Sequence, residues 1–326
     1  MATQFTVYKS TDTSAPTLSG TVGDLVNLMD KCLVTGYGSK AAAGWAATYS
    51  GTNKSALTQG TGSVGMLYRI QDDAPGATPG AREARVTGYE SMTTVDAGTN
   101  PFPTAALGVG GVAMVVARKS TAASATTRAW KVFADARTAY VFMASGDFAS
   151  FYCALAIGEF YSFVSSDAYR NMIIGQIAEG TPSIVASGDK FGSIIRSSIN
   201  NTGHFLCRGH TGTGGACGFG KHAHVLGVTG FSGAIPYTNP ADGSLILTPV
   251  HIHDNTTAPA MGVRGRLRGI YQAPHPVGSF ADGDTVTGVG DLSGKTFEVI
   301  KGVFDTDSNL HGGNVFIETS ATVEAN

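Results

Sequence analysis

Histidine and cysteine side chains are concentrated between residues 204 and 224 of this 326-residue chain. Neutral imidazole and thiolate groups are the usual protein ligands of zinc. If a metal ion binds here, its candidate ligands are Cys207, His210, Cys217 and His222. The two cysteines lack the tight paired spacing of a zinc ribbon or finger. We therefore favour hydrogen-bonded polar side chains in a loop, and we predict neither a metal ion nor another cofactor.

Three arginines alternate with other residues at Arg264, Arg266 and Arg268. On a regular strand alternate side chains share a face, so the three guanidinium groups would lie side by side. A row of like charges requires anions close by, and guanidinium groups suit carboxylates or phosphate. We therefore predict a subunit interface at this strand, with Asp or Glu supplied by a neighbouring subunit. A solvated edge strand that its charge protects from aggregation is the alternative.

Motifs that would indicate catalysis are incomplete. Residues 60–65 match the G-x-G-x-x-G fingerprint, but residues 66–70 after them are typical of a strand, whereas dinucleotide binding requires a helix there. Residues 215–221 match most of a P-loop, but His222 stands where a Ser or Thr would coordinate magnesium. No G-x-S-x-G motif is present. We predict that the chain is not an enzyme.

The composition is rich in glycine and poor in charge. Glycine accounts for 44 residues, and charged residues are 14% of the chain against a usual value of about 25%. A surface with so little charge is typical of a protein that is covered in an assembly, and a polar Ser/Thr/Asn surface is the alternative. The net charge of −2 gives no electrostatic basis for binding nucleic acid.

Neither a signal peptide nor a membrane-spanning segment is predicted. The first residues lack a basic start and a hydrophobic run, and no stretch approaches the roughly 20 apolar residues of a transmembrane helix. We expect no membrane partner.

One helix is predicted at about residues 21–34, because its apolar residues recur at the spacing of a single helical face. Thr21 and Asp24 resemble a capping box, and Gly36 stands where a left-handed cap would end the helix. The apolar positions are Val22, Leu25, Val26, Leu28, Met29, Cys32 and Leu33.

Most of the remaining sequence is typical of short strands separated by Gly, Pro, Asn and Asp turns. Residues 130–133 and 139–143 flank a turn and predict a hairpin, and residues 203–233 predict a long exposed loop. The fold class is therefore mainly β, sandwich-like or barrel-like with Gly-rich loops and a short N-terminal helix; α+β is the alternative. Further strands are predicted at residues 5–8, 66–70, 112–117, 245–253 and 296–303. Residues 169–178 fit a strand or a helix, and we favour the strand.

A Ser/Thr/Ala stretch at residues 120–127 is typical of a connector between regions. It divides the chain into an N-terminal β-rich region, residues 1–127, and a C-terminal β-rich region, residues 128–326. A single continuous domain is the alternative.

Several short blocks are distinctive in wording. They are YKSTDTSAPTLSG at 8–20, LMDKCLVTGYG at 28–38, AGW at 43–45, GTNK at 51–54, GYESM at 88–92, PFPT at 101–104, PY at 236–237, NPADG at 239–243 and RGRL at 264–267. Together these blocks resemble virion structural proteins of tailed bacteriophages. Arg268 departs from the expected pattern, since a proline would follow the RGRL block.

The resemblance implies a non-enzymatic subunit of the virion that contacts copies of itself and other virion proteins. A head-associated or decoration protein is the first choice, and a tail or baseplate component is the alternative. From the residues alone, a carbohydrate- or receptor-binding β module is a further alternative, in which Trp45, Tyr37 and Tyr49 would stack on sugar.

Overall fold

The structure is a computed structural model. It describes residues 4–73, 80–146, 152–176, 203–212, 214–218, 220–222, 247–254, 262–272, 280–301 and 315–320.

The described residues form one α-helix, a π-helical turn, three short 3-10 turns and twenty strands. The helix α1 spans Asp24–Asp30 and the π-helical turn spans Lys31–Thr35. The 3-10 turns are Gly80–Arg82, Val109–Gly111 and Gly290–Leu292. The strands are β1 (Thr6–Lys9), β2 (Ala46–Gly51), β3 (Lys54–Thr58), β4 (Leu67–Gln71), β5 (Glu83–Thr94), β6 (Ala97–Phe102), β7 (Val115–Arg118), β8 (Trp130–Ala134), β9 (Thr138–Met143), β10 (Cys153–Glu159), β11 (Tyr161–Ser162), β12 (Asn171–Ile174), β13 (His204–Leu206), β14 (Cys217–Gly218), β15 (Gly220–His222), β16 (Thr248–Asp254), β17 (Gly262–Gln272), β18 (Thr285–Thr287), β19 (Thr296–Ile300) and β20 (Val315–Glu318).

The strands form three antiparallel sheets. The central sheet has the order β1-β8-β9-β10-β12-β13-β14. The N-terminal sheet has the order β2-β3-β4-β5-β6, and β7 also pairs with β5. The C-terminal sheet has the order β15-β16-β17-β20-β19-β18, and β11 also pairs with β17. The chain is therefore mainly β, as predicted, and its described residues include one short α-helix.

The central sheet is covered on both faces, which explains its apolar strands. Val132 and Val141 lie in a hydrophobic cluster with residues of the N-terminal sheet and α1. The adjacent Phe133 and Phe142 lie in a second cluster, with residues of the C-terminal sheet. Successive side chains of a strand point to opposite faces, so the sequence of a strand that is buried on both sides is a continuous apolar run. The result is a sandwich-like stack with the central sheet in the middle.

The helix is shorter than the sequence predicts and is capped differently. It begins at Asp24. The N-cap residue is Gly23, whose φ of 84° is left-handed and which has no side chain to accept a hydrogen bond from the helix. Instead the backbone N–H of Leu25 donates to Asp72 Oδ2 at 2.8 Å. The predicted capping box is therefore wrong. A carboxylate from the end of β4 binds the helix terminus in its place.

The two predicted regions share a hydrophobic core. Strand β1, from the first region, pairs with β8, from the second. The first hydrophobic cluster contains Tyr8 and Val86 together with Val132 and Ile173. This arrangement favours the single continuous domain over two separate ones.

The hairpin prediction is confirmed, since β8 pairs with β9 from Trp130 opposite Met143 to Ala134 opposite Ala139. The predicted exposed loop is wrong in part. Residues His204–Leu206 are a buried strand of the central sheet. Residues 223–233 of that loop lie outside the described residues.

Candidate assembly surface

The arginine strand β17 is irregular, and its irregularities separate the three arginines. Its register against β16 shifts between Ile252 and His253 and again between Pro249 and His251. Bulges of this kind turn side chains to the other face of a sheet. Arg264 and Arg268 are buried, whereas Arg266 is half-buried. The prediction of three guanidinium groups on one face is therefore wrong.

Arg264 is bound by carboxylates of its own chain. Its Nη2 lies 2.9 Å from Asp167 Oδ1 and its Nε lies 3.0 Å from Asp167 Oδ2, a bidentate pair. Asp254 Oδ2 lies 3.4 Å from Nη1, which also donates to the Arg208 carbonyl at 2.7 Å. Both carboxylate side chains are buried. This guanidinium therefore joins the loop before β12 to strands β16 and β17.

Arg268 forms a second buried bidentate pair. Its Nη2 lies 2.7 Å from Asp135 Oδ2, and its Nη1 lies 3.0 Å from Asp135 Oδ1. Asp135 Oδ1 also accepts hydrogen bonds from the backbone N–H groups of Arg137 and Thr138, so it orders the turn of the β8–β9 hairpin. The pair ties the central sheet to the C-terminal sheet.

The expectation that a neighbouring subunit supplies carboxylates to these arginines is corrected for Arg264 and Arg268. Asp167 and Asp135 of the same chain occupy that role, and burial leaves neither guanidinium accessible to another molecule. A subunit contact at Arg266 stays a prediction.

Arg266 lies among aromatic side chains on the outer face of the C-terminal sheet. Its guanidinium carbon lies 5.1 Å from the ring centroid of Tyr161, which is its cross-strand partner. Phe163 is 51% exposed and packs 5.8 Å from Tyr161 and 6.2 Å from His251, measured between ring centroids. Val263 on the same strand is also exposed. We call Tyr161, Phe163, His251, Val263 and Arg266 the Arg266 surface.

The Arg266 surface is made of residue types that are enriched at protein interfaces. Aromatic residues and arginine are enriched at interfaces and dominate their binding energy. Arginine stacked on an aromatic ring is already held in one conformation, so less side-chain freedom is lost on binding. The sequence prediction found Arg266 but missed Tyr161 and Phe163. The only sequence feature that pointed to them is the alternation of aromatic residues at 161 and 163. Such an alternation does not show whether the rings are exposed or what they contact.

The first two candidate metal ligands form hydrogen bonds within the protein. Cys207 is buried, and its thiol donates to the Tyr169 carbonyl at 3.1 Å. The backbone N–H of His210 donates to Asp254 Oδ2 at 2.9 Å, and its ring Nδ1 lies 3.3 Å from the same oxygen. These contacts fit the favoured interpretation of polar residues engaged with their own chain.

The other two candidates lie on strands of different sheets. Cys217 is on β14 of the central sheet, in register with Leu206. His222 is on β15 of the C-terminal sheet, in register with His251. Within the described residues, no group of three or more His, Cys, Asp or Glu side chains is arranged to hold a metal ion.

We expect protein produced without an affinity tag to contain far less than one zinc ion per chain. The measurement is elemental analysis of the purified protein after dialysis against metal-free buffer. A stoichiometric value would contradict this expectation and restore Cys207, His210, Cys217 and His222 as ligands.

Cys32 and Cys207 are poor nucleophiles. Burial raises the pKa of the Cys207 thiol to about 12 and raises the pKa of Cys32 far above its ordinary value. The thiolate is the reactive form of cysteine, so neither side chain is activated at neutral pH.

The described residues of the two glycine-rich motifs do not lead into a helix, as phosphate-binding motifs do. Residues 60–65 connect the paired strands β3 and β4, so they form a hairpin connection rather than the start of a helix. In the segment 215–221, Cys217–Gly218 and Gly220–His222 belong to short strands, where a P-loop would lead into a helix.

The aromatic residues proposed for sugar stacking do not form an open platform. Trp45 and Tyr37 are buried in the first hydrophobic cluster, and the Trp45 indole N–H donates to the Asp135 carbonyl at 2.7 Å. The hydroxyl of the half-buried Tyr49 donates to the Met92 carbonyl at 2.9 Å. The structure gives these three residues structural roles.

No protein-family model matches this chain, and no curated protein matches it. No helix among the described residues is long and apolar enough to cross a membrane.

Proposed function

We propose that the chain is a non-enzymatic structural subunit of a tailed-phage virion, where it assembles in multiple copies through protein–protein contacts. The first choice of position is head-associated, as a decoration protein, and a tail or baseplate position is the alternative. Its partners are copies of itself and other virion proteins. The observation that carries the proposal is the Arg266 surface, which presents aromatic and arginine side chains on a well-packed β scaffold.

The scaffold supports this role because charged side chains join its sheets internally. Arg264 and Arg268 each form a buried bidentate pair with a carboxylate from another part of the chain. A subunit fixed in this way presents its surface without reorganisation, which reduces the entropic cost of assembly. The low proportion of charged residues is consistent with a surface that neighbours cover.

Phe163→Asp should reduce incorporation into particles about tenfold or more while the subunit stays folded. The exposed ring contributes little to the stability of the fold. A charge in the centre of a contact would weaken the free energy of assembly by about 2–4 kcal/mol, the range of hot-spot residues. The measurement is the copy number per virion, by quantitative mass spectrometry of purified particles, together with thermal melting of the isolated subunit.

Val289→Asp is the matched control, because Val289 is 66% exposed and lies outside the Arg266 surface. It should melt and incorporate like the wild type. If Phe163→Asp incorporates at the wild-type copy number, the Arg266 surface is not an assembly contact. If the wild-type chain is absent from clean particles, the virion role itself is wrong.

A further inference from the structure

A lysine and an aspartate are enclosed together at one end of the N-terminal sheet. Asp72 directly follows β4 and Lys119 directly follows β7, and both of these strands pair with β5. Both side chains are 0% exposed. The start of α1 covers them, since the N–H of Leu25 donates to Asp72 and Lys119 donates to the carbonyl of Thr21.

The amine of Lys119 contacts both carboxylate oxygens of Asp72. Its Nζ lies 2.6 Å from Oδ1 and 2.8 Å from Oδ2. An atom at these distances from both oxygens lies no more than about 3 Å from the carbon that joins them, which is within the separation of reacting atoms in a near-attack arrangement. The amine is therefore an ion-pair partner of the carboxylate that also lies within reach of its carbon.

The surroundings of this pair favour its uncharged forms. Burial raises the pKa of Asp72 to about 6, and burial lowers the pKa of Lys119. A neutral amine is a nucleophile and a neutral carboxylic acid can lose hydroxide as water, whereas the ammonium and carboxylate ions do neither. The charge of Asp24, at the start of α1, raises the pKa of both groups, so it favours neutral Asp72 and opposes the effect of burial on Lys119.

We propose that Lys119 and Asp72 condense to form an intramolecular isopeptide bond. A proton passes from the ammonium to the carboxylate, and the Nζ lone pair then attacks Cγ. The Nζ–Cγ bond forms and one Cγ–O bond breaks. The oxygen leaves as water with the acid proton and one amine proton, so the products are one amide and one water molecule.

The bond would join the ends of β4 and β7 and close a loop between residues 47 positions apart. A covalent link of this kind restricts the unfolded chain as a disulfide does, without any need for an oxidising environment. The reaction is a property of the isolated chain, so its failure and the failure of the virion role are separate results.

Intact-mass measurement of the purified, denatured full-length chain tests the proposal. We expect a mass lower than the sequence value by one water, about 18 Da. Tryptic digestion should give a branched peptide that joins residues 70–82 to residues 119–128, because an acylated lysine is not cleaved by trypsin. A full mass, with cleavage after Lys119, would overturn the proposal.

Variants of the pair make the test specific. Lys119→Arg should show its full sequence mass. Asp72→Asn should lose ammonia, about 17 Da, rather than water, because the leaving group is then the amide nitrogen.

The chain also contains an internal control. Lys131 Nζ lies 2.8 Å from Asp282 Oδ2, but the Asp282 side chain is 33% exposed. This pair is in contact through one oxygen and is not enclosed, so only Lys119 and Asp72 should be crosslinked. A water loss mapped to Lys131 instead of Lys119 would overturn the assignment.

Discussion

Replacing Arg268 by methionine should lower the free energy of unfolding by about 3–5 kcal/mol, because it leaves the buried carboxylate of Asp135 without its cation. The methionine side chain fills much of the volume of the arginine stem, so the loss measures charge rather than packing. The measurement is urea unfolding of the isolated subunit, followed by fluorescence.

Arg266→Met is the matched control for this variant. Arg266 is on the same strand but half-buried on the outer face, so the expected change is within about 1 kcal/mol. Adding Asp135→Asn to Arg268→Met should recover part of the loss, because the neutral amide removes the uncompensated charge and its oxygen still accepts the turn N–H groups. Equal stability of Arg268→Met and Arg266→Met would contradict the buried pair.

The arginine strand shows what could be predicted from the sequence and what could not. The residue types indicated that anions must lie near the guanidinium groups, and Asp167 and Asp135 are those anions. The sequence did not show which anions these are, because Asp167 lies 97 residues from Arg264 and Asp135 lies 133 residues from Arg268 along the chain. Local spacing carries no information about contacts at such separations.

The face of the sheet to which each arginine points could not be predicted for a different reason. Period-two alternation holds only for a regular strand, and β17 carries two register shifts against β16. Gly269, with a φ of 63°, lies within the longer irregularity and allows the chain to turn there. The glycine in the sequence was a signal for a bulge, but glycine is so frequent in this chain that it was not specific.

Secondary structure was predicted best where the pairing is between neighbouring segments of the chain. The β8–β9 hairpin follows from two apolar runs around a short turn, and the structure confirms it. The three-sheet stack could not be predicted, because apolar runs such as Cys153–Glu159 show burial on both faces without showing which sheets supply it. Only Arg266 of the Arg266 surface was predicted from the sequence, since the exposure of Phe163 depends on the packing of distant strands.

The largest loss of stability is expected from Leu28→Asp on helix α1. Leu28 is fully buried in the cluster between the helix and the sheets, and a carboxylate there would have no partner. The loss of apolar burial and the cost of burying a charge together amount to about 4 kcal/mol or more, a large share of the 5–15 kcal/mol of a typical domain. We therefore expect little or no soluble protein at 37 °C.

Asn27→Asp introduces the same side chain one position earlier, on the exposed face of α1. Because it adds charge without burial, it should change the free energy of unfolding by only about 0.5 kcal/mol and leave soluble yield unaffected. The comparison therefore separates the effect of burial from that of an added aspartate in this helix. The soluble fraction after expression and the urea midpoint of any soluble material are the two measurements. If Leu28→Asp is recovered soluble with the urea midpoint of Asn27→Asp, the apolar face of α1 does not pack in the core.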